Sequence, residues 1–127
     1  IGTPYQSYPC GDVCGDIDPI VLKQCPMTGQ VMDVRDIPYP DKHFGAAFVS
    51  HVLEHLPTAN DCEIAWHELW RVADYVYVAY PRTYNLIALW NADHHLWVKQ
   101  DLHSPRALQV IDRHYRSHSR WYDPIIA

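Results

Sequence analysis

The stretch Gly29–Leu56, GQVMDVRDIPYPDKHFGAAFVSHVLEHL, decides how the rest of the chain is read. A short apolar piece leads into Met32-Asp33-Val34, and an acidic, Pro-bearing turn from Arg35 to Lys42 follows. A second apolar strand, Ala46 to Val49, ends at Ser50-His51 and opens directly into Leu53-Glu54-His55-Leu56. Strands that finish in polar, loop-forming clusters are what an open α/β sheet shows at its ligand edge, because ligands sit outside the carboxyl ends of its strands.

Working outward, residues 1–9 are turn-rich, and Gly11 to Asp18 reads as a short strand, Val13-Cys14-Gly15, that stops on acids. Pro19 and Pro26 leave Ile20-Val21-Leu22 room for no more than a turn of helix, and the next strand is expected over Gln30 to Val34. Gly45, Ala46 and Ala47 are small enough for a covering helix to pack closely on the Ala46 to Val49 strand. A helix is expected from Asn60, capped by Asn60 with Glu63 three residues on, and carrying Ile64, Ala65, Leu69 and Val72 on its apolar face to end at Asp74. Tyr75 to Tyr80 is rich in β-branched and aromatic residues and reads as a strand closed by Pro81. Residues 82–98 have no clean period and are expected as loop plus a short helix around Asn85 to Trp90. Ser104-Pro105 resembles a helix start, with Leu108, Val110, Ile111 and Tyr115 as the apolar face. Arg120 to Ile126 is expected as an edge strand, since Pro124 cannot sit inside a sheet. Strands alternating with helices predict an α/β fold with a mostly parallel sheet.

The bulk numbers agree. The chain has 127 residues, 48% apolar and 20% charged, so one ordinary globular domain over residues 1–127 is expected. A net charge of −5 argues against binding a phosphate backbone, so no nucleic-acid partner is expected. No apolar run reaches the roughly 18 residues of a bilayer span, and no leader is visible, so a cytoplasmic protein without a membrane partner is expected. The four Cys are irregularly spaced, which favours reduced, partly buried thiols over a zinc knuckle, a Cys10/Cys14/Cys25 metal site or a disulfide.

Asp33-Val34-Arg35-Asp36-Ile37-Pro38-Tyr39-Pro40-Asp41, then Phe44, then Ser50-His51-Val52-Leu53-Glu54-His55-Leu56 together resemble class I S-adenosylmethionine-dependent methyltransferases, in their small-molecule branch. Glu68-Leu69-Trp70-Arg71-Val72 is similar to that family's E-x-x-R-V before its fifth strand, YVYVAYP to the strand itself, and Val13 to Pro19 to the end of its second strand. The similarity runs from about Gly2 to Pro81. It implies a Rossmann-like sheet with flanking helices, here lacking part of the usual N-terminal strand and Gly-rich turn, of which Gly2-Thr3-Pro4-Tyr5 would be a remnant. Two further departures are Phe44-Gly45 in place of F-D and the absence of a Lys-Pro-Gly-Gly turn after Val72. The chain is therefore expected to be either a fragment of a methyltransferase or a reduced descendant.

The resemblance implies a cofactor, S-adenosylmethionine, and a set of residues for it. Asp16 would accept from the ribose diol, as acids at strand ends do in dinucleotide sites. Asp33 would accept from the adenine amino group, and the Val34 backbone N–H would donate to the ring. Ile17 and Ile37 would sandwich the base, Gly2 would approach the methionine end, and the methyl group would lie near Ser50 and His51. Methyl transfer from this cofactor needs an aligned acceptor and, for oxygen or nitrogen, a base. His51 and His55 are the candidate bases because imidazole titrates near neutrality. His51, Glu54 and His55 could alternatively gather a divalent metal, or Glu54 and His55 could simply orient the helix start. Tyr84, Trp90, His94, His95 and Trp97 could line an acceptor pocket.

The expected activity is methyl transfer to O or N of a small molecule. The alternatives are a non-catalytic methyltransferase-like subunit, bound to a protein partner or to its own copy through Trp90, Trp97 or Trp121, and cleavage of the same cofactor.

Overall fold

The computed structural model describes residues 11–23, 25, 28–80, 95–101, 103–112 and 119–122. In chain order these form β1 (Val13–Asp16), α1 (Pro19–Leu22), β2 (Thr28–Val31), β3 (Phe44–Ser50), a 3-10 turn (Leu53–His55), α2 (Ala59–Val72), β4 (Ala73–Ala79), β5 (Leu96–Gln100), β6 (Leu108–Asp112) and β7 (Ser119–Tyr122). β1 and β2 pair in parallel, as do β3 and β4, whereas β5, β6 and β7 form an antiparallel meander. The architecture is a Rossmann-like mixed α/β fold with parallel pairs and flanking helices.

The middle of the chain is a β3–α2–β4 crossover unit, and α2 is its organising element. Thr58 caps it: its hydroxyl accepts the Asp61 backbone N–H at 3.1 Å and donates to the Asp61 carboxylate at 2.7 Å. The sequence reading placed this cap at Asn60 with Glu63. Thr58 is the N-cap that forms, and its hydroxyl satisfies the Asp61 N–H, a donor the first turn would otherwise leave bare. α2 buries Cys62, Ala65, Trp66, Leu69, Trp70 and Val72, a stripe at helical spacing, while Ile64 is 43% exposed and is not on the core face. Each large apolar side chain so buried contributes roughly 1.5–3 kcal/mol. Val49 and Val76 supply the strand side of this core, and Leu96, Val98, Leu108 and Val110 supply a second sheet side.

The helix stops at Val72 and passes straight into β4 at Ala73, two residues earlier than Asp74. Lys42 secures this corner. In a left-handed conformation (φ 54°), it donates Nζ to the carbonyls of Trp70 and Ala73 at 2.8 and 3.0 Å, and Arg71 O accepts its backbone N–H.

The Glu68/Arg71 pair is the second fastening. Arg71 donates to the carboxylates of Glu68 and Asp41 and to the carbonyls of Ile37 and Tyr39, all at 2.7–2.9 Å. Glu68 Oε2 in turn accepts the Ile37 N–H at 2.8 Å. The loop from Ile37 to Asp41 is thus bolted to α2 through the Ile37 N–H and the Ile37 and Tyr39 carbonyls. Arg71 holds the Glu68 carboxyl below its ordinary value, chiefly through their hydrogen bonds.

Several expectations are corrected. β2 ends at Val31 rather than Val34, because Asp33 and Asp36 close a tight turn immediately afterwards (Asp36 N–H to Asp33 O, 3.0 Å). Among the described residues no helix covers Gly45 and Ala46: both are exposed, and an added Cβ at Gly45 would meet nothing within 4 Å. Phe48, Tyr75 and Tyr77, on the face of the β3–β4 pair that Ala46 shares, are also exposed, whereas Val49 and Val76 on the opposite face are buried. The expected helix after Pro105 is instead β6. Leu108 and Val110 alternate inward at period two, and a turn (Ala107 N–H to Ser104 O, 2.9 Å) precedes them. Residues 96–98, read as irregular, belong to β5. β7 spans Ser119–Tyr122, so the edge strand expected over Arg120 to Ile126 forms over its first three residues, and the rest lies outside the described residues.

The antiparallel sheet is tied to the rest through α2. Trp66 Nε1 donates to Arg106 O at 2.7 Å, and the Arg106 guanidinium lies 4.6 Å from the Trp70 ring centre. Gln100 donates to the carbonyls of Val76 and Pro105 at 3.1 and 2.7 Å. The expected helix around Asn85 to Trp90, and Tyr84, His94 and Tyr115, lie outside the described residues.

Candidate functional site

Three loops that leave the carboxyl ends of parallel strands meet in one cleft of about 240 Å³. Asp16 and Ile17 come from the end of β1, Met32 to Arg35 from the turn after β2, and Val52, His55, Leu56 and Pro57 from the segment after β3. Such convergence follows from topology: parallel strands point their ends, and the loops after them, the same way.

Four of the residues expected to hold a nucleoside therefore share one wall system: Asp16, Ile17, Asp33 and Val34. Ile17 is 65% exposed, an apolar side chain that lines the cleft and lacks core packing. Asp16 Oδ1 accepts the Asp18 N–H at 2.9 Å, a turn that also leads into α1, capped by Asp18. Val34 is buried, and Ile37, expected to flank a base, is only 3% exposed and packs in the core instead. Ser50 is buried at the end of β3, and His51 is half-buried beside it; neither lines the cleft. Gly2 lies outside the described residues.

The sequence reading missed Arg35. Its guanidinium forks onto Asp33 at 2.7–3.2 Å and reaches Asp61 at 3.1 Å, and its backbone N–H also donates to Asp33. Hydrogen bonds from Arg35 therefore hold the Asp33 carboxyl below its ordinary value. The Asp61 carboxyl is lowered as well, first by Thr58 and then by Arg35. An Asp with Arg two residues on in a turn is the signal that could have shown this pair. The β2 turn is thus tied to the first turn of α2, and a base-contacting role for Asp33 must use the acceptor capacity Arg35 leaves.

Glu54 precedes the cleft-lining His55 in the 3-10 turn. It is 1% exposed, its Oε1 lies 3.2 Å from His51 Nδ1, and its Oε2 is buried with no hydrogen-bond partner among the described residues. Burial pushes its carboxyl above the ordinary value, against the pull of His55 and His51. His51 has φ 51°, a left-handed backbone that a residue with a Cβ rarely adopts, and its N–H donates to Ala79 O at 2.9 Å. The His95 N–H donates to Glu54 O at 2.8 Å, which fixes the 3-10 turn to the start of β5. His55 is exposed and lines the cleft.

Among the described residues no group of three or more His, Cys, Asp or Glu is placed to hold a metal. Cys14, Cys25 and Cys62 are free thiols, with burial pushing Cys14 to about 11 and Cys62 to about 12, so neither is a thiolate at neutral pH. Among the described residues no helix is long and apolar enough to cross a membrane.

Comparison with known proteins places this geometry in context. A family model described as "Methyltransferase domain" matches residues 9–74. Among solved structures, the PH0226 protein from Pyrococcus horikoshii OT3 is similar, with a TM-score of 0.55 and 13% sequence identity. That match covers 87% of this chain and 56% of the solved one, a likeness of fold. No curated protein matches.

Proposed function

The chain belongs to the class I methyltransferase-domain family, and on that premise we propose that it binds S-adenosylmethionine in the β1/β2/β3 cleft and transfers methyl to O or N of a small molecule. The observation that supports the reading is the convergence of Asp16, Ile17, Asp33 and Val34 on one cleft. Asp16 offers the carboxylate that a ribose diol needs, with Ile17 and Met32 as apolar surface for a base. Small-molecule sites usually enclose about 300–1,000 Å³. The 240 Å³ here suits the nucleoside part, with the sulfonium end extending toward Ser50 and His51.

When bound, the cofactor supplies an activated methyl group. The chain's own tasks are to hold it, to align the acceptor in line, and to remove the acceptor's proton. His51 and His55 are the bases in reach of that role. Because the family model covers only part of the chain, the acceptor is assigned by chemistry alone, as an alcohol, phenol or amine.

Isothermal titration with S-adenosylmethionine and with its demethylated product tests the reading. One saturable site is expected, and Asp16→Ala should remove it while leaving the fold intact. Absence of heat for both ligands with folded protein would overturn the proposal.

A further inference from the structure

We infer that Glu54 is a positioning residue for proton removal: its buried carboxylate grips Nδ1 of His51, so that Nε2 of His51 is the atom that takes the acceptor's proton. The inference rests on the methyl-transfer reading above and selects between the two candidate histidines.

Three observations carry it. Glu54 Oε1 lies 3.2 Å from His51 Nδ1, within reach of a hydrogen bond. An ionised carboxylate can only accept, so the ring proton must then sit on Nδ1 and leave the Nε2 lone pair free. Glu54 is 1% exposed with Oε2 unpartnered, an arrangement that a structural role does not require. A leucine of similar size would pack there without burying an orphan acceptor, and buried carboxyls with an unmet oxygen call for a functional explanation.

The backbone gives an independent sign. His51 is held at φ 51°, which costs on the order of 1–3 kcal/mol and persists only where surrounding contacts enforce it. Those contacts are its own N–H on Ala79 O and its ring on Glu54. β4 and the 3-10 turn thereby fix the histidine from two sides, just beyond the cleft. His55, by contrast, lines the cleft itself, where the nucleoside is proposed to sit.

The step balances simply. The acceptor's O–H or N–H bond breaks, its proton going to His51 Nε2 and its electron pair to the methyl carbon. The old carbon–sulfur pair remains on sulfur. The imidazolium so formed faces the Glu54 carboxylate, which stabilises it, as the carboxylate partner does for histidine bases elsewhere. Burial raises the Glu54 carboxyl above its ordinary value, and the positive charge of an imidazolium at His51 pulls the other way, toward the ionised form that pairs with it.

The decisive measurement is the tautomer of His51, read by long-range ¹H–¹⁵N correlation on the full chain, with His51→Gln assigning the signal. Wild type is expected to show protonated Nδ1 and a bare Nε2. Glu54→Leu should shift the ring to the Nε2–H form, and Glu54→Gln, whose carbonyl can still accept, should restore Nδ1–H. With an acceptor in hand, Glu54→Leu should cut the transfer rate at least about tenfold with cofactor affinity unchanged, within the 10²–10⁴-fold a positioned base supplies. An Nε2–H ring in wild type overturns the inference, whether or not the variants fold, and so does a Glu54→Leu tautomer identical to wild type. Failure of the cofactor titration would sink the methyl-transfer reading while leaving the tautomer result to stand or fall separately.

Discussion

Glu68→Ala is the perturbation whose size follows most directly from the structure. Glu68 Oε2 accepts the Ile37 N–H at 2.8 Å, and Ile37 is 3% exposed, so the substitution strands a buried donor. A hydrogen bond from a buried N–H to a charged acceptor is worth about 1.5–3 kcal/mol. The Glu68–Arg71 fork adds less: the two side chains are 20% and 31% exposed, so solvent screening holds the pair to about 1 kcal/mol. Alanine returns a few tenths through helix propensity. The expected loss is about 3 kcal/mol, read by urea unfolding followed by far-UV circular dichroism with an unchanged m-value. A Glu68→Ala/Arg71→Ala cycle should assign about 1 kcal/mol of coupling to the ion pair, the remainder belonging to Ile37. A total loss below about 0.5 kcal/mol, the value of an ordinary surface pair, would refute the claim that this carboxylate secures the loop.

Other outcomes can be stated briefly. Thr58→Ala should cost about 1 kcal/mol, since it removes the α2 cap, whereas Asn60→Ala should be near neutral; chemical denaturation of both settles which residue caps the helix. Glu54→Leu should be more stable than wild type at neutral pH by about 1–2 kcal/mol. Because burial raises the folded carboxyl above its unfolded value near 4.3, wild type keeps this stability below about pH 4.3 and loses it as pH rises through the raised value. The difference in melting temperature should therefore grow from acid toward neutral pH, and a pH-independent difference would be contrary. Gly15→Ala should bring a Cβ within 2.7 Å of the Met32 side-chain end, displacing a flexible group that lines the cleft. Cofactor affinity is expected to drop severalfold with less than about 1 kcal/mol lost in stability, as measured by paired titration and melting. Trp66→Phe should cost about 1–3 kcal/mol by leaving Arg106 O without its indole donor.

How far the sequence could be read follows from the range of the interactions involved. Local patterns sufficed for β1, β3, β4 and α2, because Ala65, Leu69 and Val72 repeat at helical spacing and YVYVA is strongly strand-forming. That Asp16 and Asp33 would line a cleft at the strand ends was legible from the α/β pattern, because loops after parallel strands gather at one edge. Leu108-Gln109-Val110-Ile111 was ambiguous between periods of two and 3.6, and Ser104-Pro105 tipped the reading toward a helix. Pairing with β5 and burial against Trp66 decide for the strand, and both are long-range. Thr58 was passed over because it follows Pro57 in what reads as loop. Glu54 was visible as a metal-ligand or helix-orienting candidate but its burial was not: nothing in Leu-Glu-His announces a carboxyl with 1% exposure and an oxygen unmet among the described residues. The Glu68/Arg71 motif was visible as a pattern, but its work on Ile37 and Tyr39 spans more than 30 residues of chain.

The indoles of Trp66 and Trp70 stand edge-to-face with centres 5.8 Å apart, one donating to the Ser104–Ala107 turn and the other under its arginine. Two chromophores that close, fixed at 79°, couple their transitions and give a signed near-ultraviolet band. That band should weaken if the antiparallel meander lifts off α2, because Trp66 then loses its bond to the Arg106 carbonyl and Trp70 its guanidinium while the helix persists. The molecule thus carries its own optical gauge for separation of its C-terminal sheet, needing no label.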